Sequence, residues 1–235
     1  MKEFQALILC GGLGTRLRAV LPEHLPKSLA PVNGTPFLVL LIRYLRRIGF
    51  RNVVLATGYK HDSIKEAIVQ SRLESMTVTF SQEQEALGTA GAVKRAEPLL
   101  EKIFFVLNGD TFFEFGPERM LALLADQSLD SVIALARVED AGRYGIVELD
   151  TQSRIIRFGE KSEKGPGFIN GGVYVCRKEF AARIPAGRCI SLEKEIFPQC
   201  AARRTIGGVG FEGRFIDIGI PEEYHRAHAL LADLA

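Results

Sequence analysis

The first half of the chain alternates short apolar runs with longer segments of helical periodicity. An apolar run at residues 6–10 ends at glycines and predicts a buried strand, and residues 36–48 predict a helix that stops at Gly49. The same rhythm predicts strands at residues 52–57, 76–81 and 103–107, and helices at residues 62–70 and 89–100, the latter capped by Thr89. This alternation predicts a doubly wound, mostly parallel sheet.

In the second half, strands follow one another more closely. They are predicted at residues 131–138, 146–149, 155–158 and 172–176, and a last helix is predicted at residues 221–231. No linker rich in Pro, Gly or Ser separates the halves. We therefore expect residues 1–235 to form one domain, with a first lobe at about 1–125 and a smaller α+β lobe at about 126–235.

Composition limits the classes of function. The chain has 235 residues, 47% of them hydrophobic and 25% charged, with a formal net charge of +2, so a packed globular protein is expected and a nucleic-acid partner is not. Its four cysteines lack zinc or C-x-x-C spacing, which favours reduced thiols. No signal peptide or membrane-length apolar stretch is visible, so we expect a cytoplasmic protein with no membrane partner.

The glycine loop CGGLGTR, residues 10–16, can offer backbone N–H groups to an anion. Leu17 stands where a dinucleotide fingerprint needs a third glycine, and no acidic residue ends the second predicted strand. A P-loop is excluded as well, because Lys27 and Ser28 follow too far downstream. A ligand-free turn remains an alternative for the loop taken alone.

Charged residues elsewhere favour a ligand. Arg16 and Lys27 follow the loop closely, and Asp110 follows a later strand. The carboxyl ends of parallel strands meet at one edge of a sheet, so we expect Asp110 to face the glycine loop. Cations and a carboxylate beside an anion cradle suit a triphosphate and Mg²⁺.

Seven motifs follow one another along almost the whole chain. They are LCGGLGTRL with LPKSLAPV, EALGTAGA, LNGD, RYG, EK, INGGVY and FIDIGIPEEY. In this order they resemble the sugar-phosphate nucleotidyltransferases. The resemblance implies a Rossmann-like α/β/α sandwich with a smaller sugar-binding lobe. It also implies an enzyme that joins a sugar 1-phosphate to the nucleotidyl group of a nucleoside triphosphate and releases pyrophosphate.

The resemblance also implies roles for residues of this sequence. Catalysis would rest on Arg16, Lys27, Asp110, Lys161 and Asp217. The nucleotide would contact Leu9, Gly11, Gly12, Gly14, Thr15, Arg16, Glu83, Gly88, Thr89 and Asp110. The sugar phosphate would contact Asn108, Tyr144, Gly145, Glu160, Lys161, Asn170 and Gly171. Mg²⁺ would be held by Asp110 and Asp217, since hard oxygen ligands suit that ion.

Glu83 bears on which nucleobase the protein would recognise. Relatives that use thymidine or uridine triphosphate tend to have glutamine near this place, whereas a carboxylate can accept the N1–H and N2–H₂ donors of guanine. We therefore expect GTP as the nucleotide. An exposed glutamate on an edge strand is the alternative.

For the sugar, LNGDTFF, RYG and the short chain most resemble the D-glycero-α-D-manno-heptose 1-phosphate guanylyltransferases, which serve bacterial capsule or lipopolysaccharide synthesis. Mannose 1-phosphate guanylyltransferases are the alternative, because the two sugars share the manno ring. A regulatory module that binds sugar nucleotides without turnover is a further alternative, and a homodimer is left open.

Overall fold

The structure is a computed structural model that describes residues 3–12, 14–22, 24–160 and 164–234. Its strands are β1 (Phe4–Leu9), β2 (Pro31–Val32), β3 (Thr35–Pro36), β4 (Phe50–Thr57), β5 (Thr77–Gln82), β6 (Ile103–Asn108), β7 (Thr111–Phe113), β8 (Ser131–Val138), β9 (Val147–Leu149), β10 (Ile155–Phe158), β11 (Gly167–Arg177), β12 (Ile206–Phe211) and β13 (Phe215–Asp217). Its α-helices are α1 (Phe37–Arg47), α2 (His61–Gln70), α3 (Gly88–Ala96), α4 (Pro117–Leu124), α5 (Lys178–Ala182), α6 (Phe197–Ala202) and α7 (Pro221–Leu230).

Seven of these strands form the central sheet, in the order β12-β8-β11-β6-β1-β4-β5. The pairs β1/β4, β4/β5 and β8/β12 are parallel, whereas β8/β11 is antiparallel. The predicted α/β class with a mostly parallel sheet is therefore confirmed. In the part of the chain that the structure describes, no helix has both the length and the apolar character needed to cross a membrane.

The chain divides into two compact units. Unit 1 comprises Met1–Ala86, Leu107–Phe112 and Ile216–Ala235, and unit 2 comprises Leu87–Val106 and Phe113–Phe215. Within unit 1, β1 is buried on both faces, as the apolar run that begins at Ala6 predicts for a central strand. The helix α1 packs its apolar residues inward and ends before Gly49, whose φ of 102° suits the left-handed residue that follows a helix.

Unit 2 contains a strand that the sequence analysis missed. The strand β12, IGGVGF, carries three glycines, and glycine is unfavourable in strands. Large side chains cover these positions: a methyl group on Gly208 would lie 2.8 Å from the Leu135 side chain, and one on Gly210 would lie 2.6 Å from the Phe168 ring. The glycines are thus explained by packing across the sheet, which local sequence does not reveal.

The strand β11 is longer than the predicted strand at residues 172–176 and is irregular. Asn170 pairs with Leu135, but the next pair along the strand joins Val173 to Ala134, so Gly171 and Gly172 form a bulge against β8. A φ of 71° at Gly172 and a contact of only 2.5 Å between the Phe113 ring and a methyl placed on Gly171 account for the two glycines.

Candidate active site

A cavity of about 360 Å³ lies in unit 1, where β1 and β6 end. It is lined by Leu9, Cys10, Gly12, Gly14, Arg16, Lys27, Ser28, Gly109, Asp110 and Gly219. The two strand ends touch, because the N–H of Gly109 donates to the carbonyl of Leu9 at 3.0 Å. The glycine loop and the LNGD motif therefore face the same space, as the parallel sheet predicted.

Lys27 joins two carboxylates in this unit. Its ammonium nitrogen lies 2.6 Å from Oδ2 of Asp110 and 3.7 Å from Oδ1 of Asp217, and the lysine side chain is only 10% exposed. The other oxygen of Asp110 accepts a hydrogen bond from the Thr111 hydroxyl at 3.2 Å. The N–H of Ile218 donates to the Asp110 carbonyl at 3.0 Å, which places the segment that carries Asp217 beside Asp110.

The charges of this cluster shift the pKa of Asp217. Burial and the neighbouring charge of Asp110 raise the pKa of Asp217 above its ordinary value, while Lys27, the N–H of Gly219 and Arg16 act in the opposite direction. The Gly219 N–H donates to Oδ1 of Asp217 at 2.8 Å. The two carboxylates thus repel each other at close range, and cations near them lower the cost of keeping both ionised.

The carboxylates of Asp110 and Asp217 can supply part of the ligand shell of a divalent metal ion. Among the described residues, no set of three His, Cys, Asp or Glu side chains is placed to hold a metal. Mg²⁺ commonly takes one or two carboxylates and completes its shell with phosphate oxygens and waters. Asp110 and Asp217 therefore fit Mg²⁺ that is bound together with a phosphate ligand, not an all-protein cage.

The glycine loop approaches Lys27 closely. Gly14 has a φ of 60°, and a methyl group added to it would lie 2.8 Å from Cβ of Lys27. A side chain there would strain the backbone and displace the lysine. At Gly12 a methyl would meet nothing within 4 Å, so this glycine borders open cavity space.

Two small side chains on the cavity wall were not among the predicted site residues. Ser28 is 5% exposed, and its hydroxyl has no hydrogen-bond partner within residues 3–12, 14–22, 24–160 and 164–234. Cys10 is 4% exposed; burial first, and then Asp110, raise the pKa of its thiol well above the ordinary range. The thiol is therefore a packing group, whereas the Ser28 hydroxyl on the cavity wall is available to donate to a ligand oxygen.

Glu83 lies beside the glycine loop. A methyl group on Gly11 would be 3.5 Å from Oε2 of Glu83, and one on Gly58 would be 3.8 Å from the same oxygen. The Glu83 N–H donates to the carbonyl of Thr57 at 2.7 Å, which fixes its backbone at the end of β4. A carboxylate is thus held next to backbone that lacks side chains.

In unit 2, three residues predicted to bind the sugar phosphate lie near one another: Tyr144, Gly145 and Glu160. Gly145 has a φ of 88°, and a methyl on it would lie 2.4 Å from the carbonyl of Gly159, which precedes Glu160. The Tyr144 ring stands edge-on to the Phe215 ring, with the centroids 5.6 Å apart. The RYG motif therefore packs against the backbone that carries Glu160.

Gly88 and Thr89 also have defined contacts within unit 2. Gly88 has a φ of 70°, and a methyl on it would lie 2.5 Å from the carbonyl of Ile190, so its glycine character has a packing cause. The prediction that Thr89 caps α3 is wrong: the helix begins at Gly88, after Leu87 as the N-cap. The Thr89 hydroxyl instead donates to Oε2 of Glu193 at 2.7 Å and accepts the N–H of Leu192 at 2.8 Å.

Comparison with known proteins decides the family. Residues 5–233 match the nucleotidyl transferase family. The chain belongs to this family. Nearly the whole chain takes part in the match, from the strand before the glycine loop to the helix that follows the Asp217 motif.

Three individual proteins show how far the similarity extends. A D-glycero-alpha-D-manno-heptose 1-phosphate guanylyltransferase from Campylobacter jejuni is 39% identical, over 94% of this chain and 97% of that protein. A mannose-1-phosphate guanyltransferase from Schizosaccharomyces pombe is 35% identical, over 94% of this chain but 62% of its own length. HddC from Yersinia pseudotuberculosis, in a crystal structure complexed with GMP-PN, has a TM-score of 0.86 at 33% identity, covering 96% and 98% of the two chains.

In this nucleotidyltransferase, the structure gathers many of the predicted residues. Unit 1 brings Lys27 together with Asp110 and Asp217, and it lines one cavity with Leu9, Gly12, Gly14, Arg16, Lys27 and Asp110. Asn108 is the last residue of β6. Lys161 lies outside the described residues, and of Thr15 only the backbone is described.

Three residues of this nucleotidyltransferase that line the cavity or contact a predicted site residue were not predicted from the sequence. They are Ser28, Gly219 and Glu193. Ser28 adjoins the predicted Lys27, and Gly219 lies two residues after Asp217, so both could have been found by extending those motifs. Nothing in the local sequence around Glu193 points to Thr89, which is 104 residues away.

Proposed function

We propose that this nucleotidyltransferase transfers GMP from GTP to D-glycero-α-D-manno-heptose 1-phosphate, giving GDP-heptose and pyrophosphate. The observation that carries the proposal is the cavity of unit 1, in which glycine backbone, Arg16, Lys27 and Asp110 line one space. The choice of substrates is supported by the full-length similarity to a heptose 1-phosphate guanylyltransferase. In bacteria, GDP-heptose of this kind would supply surface polysaccharide synthesis.

The reaction needs alignment and charge neutralisation more than proton transfer. A phosphate oxygen of the sugar phosphate, already ionised at neutral pH, forms a bond to the α-phosphorus of GTP. The bond from that phosphorus to the β-phosphate oxygen breaks, and its electron pair leaves with pyrophosphate. Lys27 and Arg16, which line the cavity, would stabilise the charge that develops on these oxygens.

Asp110 and Asp217 would hold Mg²⁺ together with phosphate oxygens of the nucleotide. The ion, when bound, supplies Lewis-acid neutralisation of the phosphates. Lys27 now lies against both carboxylates, so we propose that its ammonium group turns toward the phosphates when the carboxylates gain another cation. Lys27 is therefore held nearly buried beside the carboxylates, close to where it would bind the phosphates.

The Ser28 hydroxyl adds a donor to the same cavity. Because the hydroxyl is buried without a partner among the described residues, a phosphate oxygen that accepts its proton would remove an energetic penalty of the free protein. Backbone N–H groups around Gly12 and Gly14 would bind the neighbouring phosphate oxygens.

Guanine would be recognised by Glu83. Its carboxylate oxygen lies close to Gly11 and Gly58, where the absence of side chains lets the carboxylate approach the backbone of the glycine loop. A carboxylate accepts two hydrogen bonds and donates none, which matches the N1–H and N2–H₂ edge of guanine. Adenine and uracil do not present this pair of donors, so they would leave a carboxylate oxygen unsatisfied.

The sugar phosphate would be bound by residues of unit 2. Glu160 and Asn170 would contact sugar hydroxyl groups, Tyr144 and Gly145 would border the ring, and Lys161 would meet the phosphate. Mannose 1-phosphate is the second candidate substrate, supported by the 35% identity to a mannose-1-phosphate guanyltransferase over 94% of this chain. Heptose carries one more hydroxymethylene group, a difference for which pockets discriminate by about 10- to 200-fold.

The decisive experiment measures pyrophosphate release in a grid of GTP, ATP, UTP and dTTP against heptose, mannose and glucose 1-phosphates, with Mg²⁺. We expect turnover with GTP and the heptose phosphate, and a GDP-heptose product identified by its mass. The kcat/KM for heptose should exceed that for mannose by about tenfold or more. A preference for mannose 1-phosphate would make that compound the substrate. If no pyrophosphate were released in any well, the proposal that the protein is an enzyme would be overturned.

A further inference from the structure

The bulge in β11 brings two residues together that a regular strand would keep apart. Asn170 pairs with Leu135 and Tyr174 with Ile133, so their partners on β8 are only two positions apart and lie on one face of the sheet. In a regular strand, four positions would separate the two side chains by about 13 Å; the bulge shortens this to about 7 Å. The Asn170 side chain accordingly reaches the Tyr174 hydroxyl, where as a hydrogen-bond donor it opposes the rise in the pKa of that group.

The direction of each hydrogen bond from Asn170 is fixed. Its Oδ1 accepts the N–H of Gly172 at 2.9 Å, so the amide meets Tyr174 with an N–H group. Burial, with a smaller contribution from Glu193, raises the pKa of Tyr174 well above its ordinary value, and the hydroxyl keeps its proton. That proton is donated to Oε1 of Glu193 at 3.3 Å.

The second oxygen of Glu193 is also used. Oε2 accepts the hydroxyl protons of Thr89 at 2.7 Å and Ser191 at 2.9 Å. Thr89 in turn accepts the backbone N–H of Leu192 at 2.8 Å, so its hydroxyl has both a donor and an acceptor partner. Glu193 itself lies on a π-helical turn over Leu192–Ile196, an irregularity that is frequent at functional sites.

We propose that Glu193 is a positioning residue for the sugar 1-phosphate, acting through Tyr174 to hold the Asn170 amide in one orientation. The inference rests on the proposed function, in which Asn170 contacts the sugar. Because Gly172 occupies Oδ1 and Tyr174 occupies one N–H, the amide presents its remaining N–H. In this orientation Asn170 therefore offers an N–H donor to a sugar oxygen.

The variant Glu193→Gln tests the orientation with little change in shape. Its amide supplies one acceptor oxygen where the carboxylate supplied two, and the three hydroxyl groups of Thr89, Ser191 and Tyr174 compete for that oxygen. If the new NH₂ group faces Tyr174, the phenol accepts there and its proton loses the Glu193 acceptor, so the Asn170 amide is no longer held in one orientation. Glu179→Gln, an exposed glutamate on α5, is the matched control.

The kinetic test separates positioning from folding. We expect Glu193→Gln and Tyr174→Phe to raise the KM for the sugar 1-phosphate by about five- to tenfold, with the KM for GTP changed less than about twofold. Combining Tyr174→Phe with Asn170→Ala should add little to Asn170→Ala alone, because both changes remove the same contact. Additive effects, or equal rises in both KM values, would assign the network a purely structural role.

A measurement without substrate keeps this inference separable from the proposed function. The side-chain amide of Asn170 can be identified by NMR as the resonance pair that disappears in Asn170→Asp. Glu193→Gln and Tyr174→Phe should both shift that pair, and Glu179→Gln should leave it in place. An unchanged pair in the first two variants would overturn the inference even in an active enzyme, whereas a shift stands even if GTP is not the nucleotide.

Discussion

The ammonium group of Lys27 lies 2.6 Å from the carboxylate of Asp110, although 83 positions separate the two residues along the chain. The same ammonium lies 3.7 Å from Asp217, so one lysine neutralises two carboxylates that come from different strand ends. A cation in this position stabilises the free protein and competes with any metal ion for the same oxygens. This competition can be measured.

Lys27→Met should remove the competing cation while keeping the length of the side chain. We expect kcat/KM to fall by about 100-fold or more, because a cation directed at the phosphates is lost. The melting temperature in EDTA should fall, since Asp110 and Asp217 then face each other without the lysine. Added Mg²⁺ should raise it more than in the wild type, because ligand binding to the folded state stabilises it.

The control for that experiment is Lys65→Met, which changes an exposed lysine on α2 in the same unit. It should leave both the activity and the Mg²⁺-dependent rise in melting temperature at wild-type values. If Mg²⁺ stabilises Lys27→Met no more than the wild type, both with and without a nucleoside triphosphate, the carboxylate pair does not hold the metal.

Ser28→Ala should separate binding from stability. The hydroxyl has no partner among the described residues, so its removal should leave the melting temperature of the free protein unchanged or slightly higher. The KM for GTP should rise by about five- to tenfold, because the hydroxyl then no longer binds a phosphate oxygen. Ser131→Ala removes another unpartnered buried hydroxyl, in β8 of unit 2, and should leave the KM for GTP unchanged. Equal KM values for the two variants would exclude Ser28 from the nucleotide site.

Two alanine substitutions in the glycine loop should have different effects. Gly14→Ala forces a residue with a side chain to a φ of 60° and brings a methyl within 2.8 Å of Lys27, so we expect a lower melting temperature together with weaker activity. Gly12→Ala meets nothing within 4 Å, so the free protein should keep its melting temperature while the methyl obstructs GTP. Thermal melts with and without GTP distinguish the two outcomes; a destabilised Gly12→Ala would contradict the open cavity.

Glu83→Gln should relax the choice of base. A glutamine presents one acceptor and one donor group, so one of the two guanine N–H donors would lose its partner. We expect the ratio of kcat/KM for GTP to that for UTP to fall by about tenfold or more. Glu85→Gln changes an exposed glutamate two residues away and serves as the control. A ratio that stays the same in Glu83→Gln would remove Glu83 from base recognition.

Much of unit 1 could be predicted because its signals are local. The apolar run of β1, the periodicity of α1 and the glycine after it each depend on neighbouring residues, and the observed elements agree with the predicted ones to within two residues at each end. By contrast β12 was missed, because its three glycines have low strand propensity and are explained by side chains of other elements.

By itself, the sequence determined the α/β class and the family and predicted the residue types of the phosphate site that we propose, since periodicity and motif spacing are properties of short segments. Only the tertiary structure decided that Lys27 pairs with both carboxylates, that the Ser28 hydroxyl is buried on the cavity wall, and that Thr89 binds Glu193 instead of capping α3. These are contacts between segments far apart in the chain. They depend on strand order, on the bulge at Asn170 and on which polar groups remain unsatisfied after packing, and no local pattern encodes those features.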